Sequence, residues 1–262
     1  MFTDFVIPLL LESLPIAEHF ECLTLRTVGL GESVVEQRIG NELTELIRSG
    51  LEVGYCARPG QVDVRLAALG KDAKTLVQTA EQVVHKRLGD SVFGVGDEEM
   101  EALIVHLLEK RKLTLAMAES CTGGGIANRL TNIPGASAVF KLGLVTYSNE
   151  AKRALLQVRQ ETLDEHGAVS KEVAREMAEG ARRVAGADYA IAVTGIAGPG
   201  GGTSDKPVGT VYIGLATSAG TVVHEMHNPW DRATFKDVTS LQALNLLRRQ
   251  LAEVSHAVRF KA

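Results

Sequence analysis

The chain has 262 residues, 45% of them hydrophobic and 23% charged, with a formal net charge of −4. That length holds one large domain or two modest ones. The mildly acidic balance argues against general binding to nucleic acid or to an anionic membrane surface.

Three scattered cysteines, Cys22, Cys56 and Cys121, are too few for a disulfide framework and point to a reducing cytoplasm. The N-terminal MFTDFVIPLLLESLP is apolar but carries Asp4 and lacks a basic start, so it does not read as a signal peptide. No stretch reaches the ~18 apolar residues of a membrane helix.

Along the first third, CLTLRTVGL alternates like a strand and GESVVEQRIGNELTELIRSG has helical periodicity. LEVGYCARPGQVDVRLAAL predicts a hairpin turning at Pro59-Gly60, and KDAKTLVQTAEQVVHKRLG a second helix. The pattern breaks at GDSVFGVGDEE, residues 89–99. Residues 1–95 are therefore expected to form a small α+β, KH-like module with its connector. The module has no Gly-x-x-Gly clamp, and residues 20–92 hold nine Lys/Arg against ten Asp/Glu. An RNA binder of this type needs a basic face, so a spacer or dimerising role is the better expectation.

Residues 96–262 alternate strand and helix. MEALIVHLLEKRK predicts a helix, LTLAMAE a strand, and GGGIANRLTNI a helix opened by glycines. KLGLVTYS is a strand, NEAKRALLQV and SKEVAREMAEGARRVAG are helices, and ADYAIAVTG is a continuous apolar strand of the kind buried on both faces. A hairpin, GTVYIGLATSAGTVVHEMH, and a closing helix, DRATFKDVTSLQALNLLRRQLAEVS, complete the chain. This predicts an α/β fold: a three-layer α/β/α domain with a mixed sheet. Sites in such sheets lie at the carboxyl ends of the strands, which selects the loops Glu119–Gly125, Tyr147–Lys152 and Thr194–Gly202.

Each loop has a chemical reading and a plain one. Asn149 is a plausible N-cap that puts Lys152 at the third helical position, where the helix dipole and burial both disfavour its charge. A neutral lysine is what a general base requires; the plain reading is a solvated helix lysine. Tyr147 and Lys152 lie five residues apart, about 500° of helix rotation, which excludes a tyrosine–lysine pair on one helix face. Ser137, in PGASAVF, reads alone as a turn serine; no Gly-x-Ser-x-Gly surrounds it and no histidine is spaced to serve it. AESCTGGG, with Ser120, Cys121, Thr122 and Gly123, and TGIAGPGGGTSDKP, with Thr194, Gly195 and Gly198, are glycine-rich turns suited to hold a phosphate or an oxyanion. Cys121 is a rival nucleophile if a helix N-terminus activates its thiolate. His224 and His227 point to opposite faces of a strand and predict no metal site.

The motifs AESCTGG, PGASAVF, VTYSNEAK, HGAVS, VTGIAGPGGGTSDKPVGTVYIG and a late Asp-Arg together resemble the CinA C-terminal family, nicotinamide-nucleotide amidases of the bacterial pyridine nucleotide cycle. The resemblance covers about residues 97–252, and residues 1–95 look like the KH-like connecting segment of full-length CinA. It implies that Ser137 is the nucleophile, that Lys152 is the base working with Tyr147, and that Thr194 and Arg232 contact substrate. The implied reaction converts nicotinamide mononucleotide to nicotinate mononucleotide and ammonia, with no cofactor and no metal. Also expected are a cytoplasmic homodimer or higher homo-oligomer and no nucleic-acid or membrane partner. The chain starts where the molybdopterin-binding-like domain of full-length CinA would end, so no pyrophosphatase activity is expected. The alternative is a non-catalytic nucleotide-binding or competence-associated protein.

Overall fold

The computed structural model describes residues 2–13 and 19–259; Leu14 and Pro15, the end of the N-terminal stretch read above, lie outside them. The chain divides into two compact units, one ending at Asp97 and the other beginning at Glu98.

The first unit carries a short helix α1 (Ile7–Ser13), then β1 (Phe20–Val28), α2 (Glu32–Arg48), β2 (Leu51–Arg58), β3 (Gln61–Leu69), α3 (Ala73–Leu88) and β4 (Val92–Val95). The predicted hairpin is β2–β3, closing at Arg58↔Gln61 around Pro59-Gly60. The four strands form an antiparallel sheet in the order β2-β3-β1-β4. Val35, Ile39 and Leu43 of α2 recur at helical spacing, as do Val77, Ala80 and Val84 of α3, and both stripes pack on Leu25, Val64 and Leu66 of the sheet. β4 falls inside the segment read as a break. Its four residues, one of them Gly94, are too few to show alternation, and pairing of Leu25 with Val95 supplies what the local pattern lacks. The completed order β-α-β-β-α-β is that of the ferredoxin-like split βαβ arrangement.

The second unit is a three-layer α/β/α domain. Its elements are α4 (Met100–Arg111), β5 (Leu115–Glu119), α5 (Gly125–Thr131), β6 (Phe140–Val145), α6 (Asn149–Leu156), α7 (Gln160–His166), α8 (Lys171–Ala185), β7 (Tyr189–Gly195), β8 (Thr210–Thr217), β9 (Gly220–His227) and α9 (Arg232–Arg259). The sheet runs β6-β5-β7-β8-β9; β6, β5 and β7 are parallel, and β8 and β9 antiparallel. Helix α8, backed by α6 and α7, covers one face, while α9 with α4 and α5 covers the other. The sequence reading omits α7, whose residues QETLDEH offer no apolar stripe.

Small residues set the spacing of these layers. Ala116, Ala118, Ala190, Ala192 and Ala216 present a shallow surface to α8. At Gly214 a Cβ would stand 2.7 Å from the carbonyl oxygen of Ala174, so helix and sheet meet at backbone contact there. Gly180 does the same for α6: a Cβ would lie 2.2 Å from the Leu156 carbonyl oxygen. Helix α6, which carries Lys152, is thereby fixed against α8. No described helix is long and apolar enough to cross a membrane.

Candidate functional site

The three parallel strands end side by side, and each feeds its next residues into one cavity of ≈ 220 Å³. β5 delivers Ser120 and Cys121, β6 delivers Tyr147 and Lys152, and β7 delivers Thr194 and Gly195; Ala168, Val169, Ala197 and Arg232 complete the lining. Main-chain bonds continue the ladder past the strand ends, from Ser120 N–H to the Val193 carbonyl (3.0 Å) and from Thr146 N–H to the Glu119 carbonyl (2.8 Å).

Lys152 is the most unusual side chain here. It is 1% exposed, yet no carboxylate accompanies it in the cavity lining. Its Nζ donates to the Thr146 carbonyl at 2.8 Å and to Ser120 Oγ at 3.2 Å. Burial holds its pKa below the ordinary lysine value. The cap of α6 differs from expectation: Ser148, not Asn149, is the N-cap, and its hydroxyl accepts from Ala151 N–H at 3.1 Å. Asn149 is already helical, so Lys152 is the fourth helical residue. From there its side chain turns inward under Thr146.

Ser137 is corrected by its position. It is exposed, on a single 3-10 turn (Ala136–Ala138) ahead of β6, whereas Tyr147 and Lys152 follow the far end of that strand. The length of β6, at ~3.3 Å per residue, puts it on the order of 20 Å from the cavity. Ser120, read from sequence as a substrate-binding turn residue, is the serine beside Lys152. Its strand-end position, immediately after an apolar run, is the sequence signal that could have found it.

The turn after Ser120 also differs from expectation. The buried Glu119 carboxylate accepts from the amides of Gly124 (3.0 Å), Ile126 (3.1 Å) and Ala127 (2.8 Å). It thus occupies the start of α5, the position read as an anion site. Gly123 N–H is bonded to the Ser120 carbonyl and Gly125 N–H to that of Thr122, so the amides of Cys121 and Thr122 are the ones this turn leaves over. Both lie against the Cys121 thiol, which burial nevertheless pushes up to about 12. A thiol held there is not a nucleophile at neutral pH. Thr122 is fully buried, and among the described residues its hydroxyl has no partner.

Also in the lining, the exposed Tyr147 hydroxyl accepts from Arg232 Nη2 at 2.9 Å, and Arg232 Nη1 donates to the Gly198 carbonyl at 2.9 Å. Arg232 therefore joins the end of β6 to the glycine-rich loop. Thr194 is buried and donates its hydroxyl to the Ala168 carbonyl at 2.7 Å, tying β7 to the HGAVS segment. Gly195 has no room for a Cβ, which would stand 2.8 Å from the Thr210 carbonyl oxygen. Among the described residues no group of three or more His, Cys, Asp or Glu side chains converges to hold a metal ion.

Both units match models of known protein families. The model of the CinA C-terminal domain matches residues 97–251, and that of the damage-inducible protein CinA KH domain matches residues 23–94. A CinA-like protein of Geobacter metallireducens is 46% identical over 256 residues, 96% of this chain and 61% of that protein. One from Geobacter sulfurreducens is 44% identical over 254 residues, with the same coverage of 96% and 61%. The chain thus spans less than two thirds of the curated relatives it matches. Among solved structures, the competence/damage inducible protein CihA from Agrobacterium tumefaciens is 45% identical with a TM-score of 0.57, over 61% of this chain and 98% of that one. A CinA superfamily protein from Klebsiella pneumoniae is 38% identical with a TM-score of 0.57, over 59% and 96%. The chain belongs to the CinA family.

Proposed function

We propose that the second unit is an amidohydrolase that converts nicotinamide mononucleotide to nicotinate mononucleotide and ammonia, with Ser120 as nucleophile and Lys152 as its base. The observation that carries this reading is the 3.2 Å contact between a buried lysine Nζ and a serine Oγ at the floor of a cavity. Burial favours the uncharged amine, and a neutral amine within hydrogen-bond reach of a hydroxyl is a general base.

Ser120 Oγ attacks the carboxamide carbon and its proton passes to Lys152 Nζ. The carbonyl π-electrons move to oxygen, where the Cys121 and Thr122 amides are the donors this turn leaves over. Collapse expels the amide nitrogen, which takes the proton from Lys152 and leaves as ammonia. Water then attacks the acyl-serine, giving one proton to Lys152, which returns it to Ser120 Oγ as the carboxylic acid departs and ionises in solution. The Thr146 carbonyl holds Lys152 in place throughout. Tyr147, fixed by Arg232, orients the substrate.

The test is ammonia release from nicotinamide mononucleotide by the full chain. Release that Ser120→Ala abolishes supports the reading. Tight binding of the mononucleotide without release would favour a non-catalytic nucleotide-binding protein, and AMP formation from ADP-ribose would point to another hydrolase.

A further inference from the structure

We infer that Lys236 is a second cation for the substrate's phosphate, acting with Arg232 as a two-point clamp on the rim of the cavity. The inference rests on the reading that the substrate is a mononucleotide, and names a residue that neither sequence pattern nor resemblance singled out.

Three observations lead to it. Arg232 and Lys236 stand four residues apart at the start of α9, so they share one helix face. That face lies on the turn after Ser120: a Cβ built on Gly123 would be 3.5 Å from Lys236 Nζ, and one on Gly125 would be 3.1 Å from Ser240 Oγ. The Lys236 ammonium therefore hangs over the main chain three residues beyond Ser120. Among the described residues it has no ion-pair partner. Nearby Asp231 does not neutralise it, because that carboxylate is turned into its own helix start and accepts from Ala233 N–H (3.0 Å), Thr234 N–H (3.2 Å) and Thr234 Oγ1 (2.6 Å).

Size and charge then locate the phosphate. The cavity of ≈ 220 Å³ is smaller than the ~300–1,000 Å³ that encloses a whole drug-sized ligand. It takes the amide-bearing ring, and the far end of the molecule extends to the rim. The start of α5 is not available there, since Glu119 already fills it. The Arg232 guanidinium lines the cavity, and the Lys236 ammonium stands one turn further along the same helix face. Gly123, with φ +62, keeps the approach to that ammonium open, because any side chain would stand against it.

The test is titration calorimetry on the full chain carrying Ser120→Ala, which prevents turnover, with nicotinamide mononucleotide and the phosphate-free riboside as paired probes. Lys236→Met should weaken mononucleotide binding about tenfold and leave riboside binding within about twofold, while Lys236→Arg restores the mononucleotide. Equal losses for both probes, no loss for either, or a parent protein that binds both equally would overturn the clamp. Loss with both Lys236→Met and Lys236→Arg would also overturn it, since a purely structural role for the side chain predicts that pattern. The outcome is separable from the amidase reading. A wild-type protein that releases no ammonia yet binds the mononucleotide through Lys236 keeps the clamp and loses the chemistry.

Discussion

Strand β6 connects two serine environments that differ in every respect relevant to catalysis. At its amino end Ser137 sits exposed on a short turn, away from the cavity. Beyond its carboxyl end, Ser120 from the neighbouring strand meets a buried lysine whose charge the protein disfavours. A serine becomes a nucleophile through the base beside it, and position in a motif does not supply that base. The parallel sheet brings residues 120, 147 and 152 together because β5 and β6 end at the same edge. That same parallel course carries Ser137 to the opposite edge.

The sharpest way to break this contrast is to remove the pair. Ser120→Ala and Lys152→Met should each lower kcat by ~10³-fold or more on nicotinamide mononucleotide, with the double variant little worse than either, since the two act as one unit. Additive losses would mean that they do not share a step. Tyr147→Phe should cost ~10–100-fold, because its hydroxyl keeps Arg232 and the glycine-rich loop in register without carrying the base.

The lysine also sets a pH signature. Its folded pKa lies below the unfolded value of ~10.4, so between the two the unfolded chain binds more protons than the folded one. Stability from this group therefore rises with pH through that window and is flat outside it. Activity should rise about tenfold per pH unit until the lowered pKa is passed. Lys152→Met should remove the stability rise in a Tm-against-pH series; an unchanged slope would show that the lysine is not the group titrating.

At the small end, Ser137→Ala and Cys121→Ala should each keep kcat within about threefold, the first because an exposed turn residue carries little. The second follows from a thiol pushed up to about 12. Iodoacetamide at pH 8 should label the exposed Cys22 and Cys56 and spare Cys121 in the folded protein. Rapid labelling of Cys121 with loss of activity would reopen a thiolate mechanism.

Much of the fold was legible in the sequence because it is written in local periodicity. The apolar run ADYAIAVTG became the doubly buried β7, and the glycines of GGGIANRL opened α5. β4 and α7 were not, since a four-residue strand and a polar seven-residue helix owe their form to tertiary partners. At the site, the resemblance implied that Ser137, Tyr147 and Lys152 work together, while proximity between Ser120 and Lys152 depends on a 32-residue separation closed by strand pairing. The occupation of α5's start by Glu119 was equally invisible, because a carboxylate one residue before a glycine-rich turn reads as solvent-facing until its strand is known to be buried.

The most direct measurement is acid quench of the full chain during turnover of nicotinamide mononucleotide carrying an isotopic label in the carboxamide carbon, followed by tryptic mapping. Trypsin separates the two serines, Ser120 in Leu113–Arg129 and Ser137 in Leu130–Lys141. The account predicts the acyl label on Leu113–Arg129, and its disappearance in Ser120→Ala. Label on Leu130–Lys141, or undiminished ammonia release from Ser120→Ala, would contradict it.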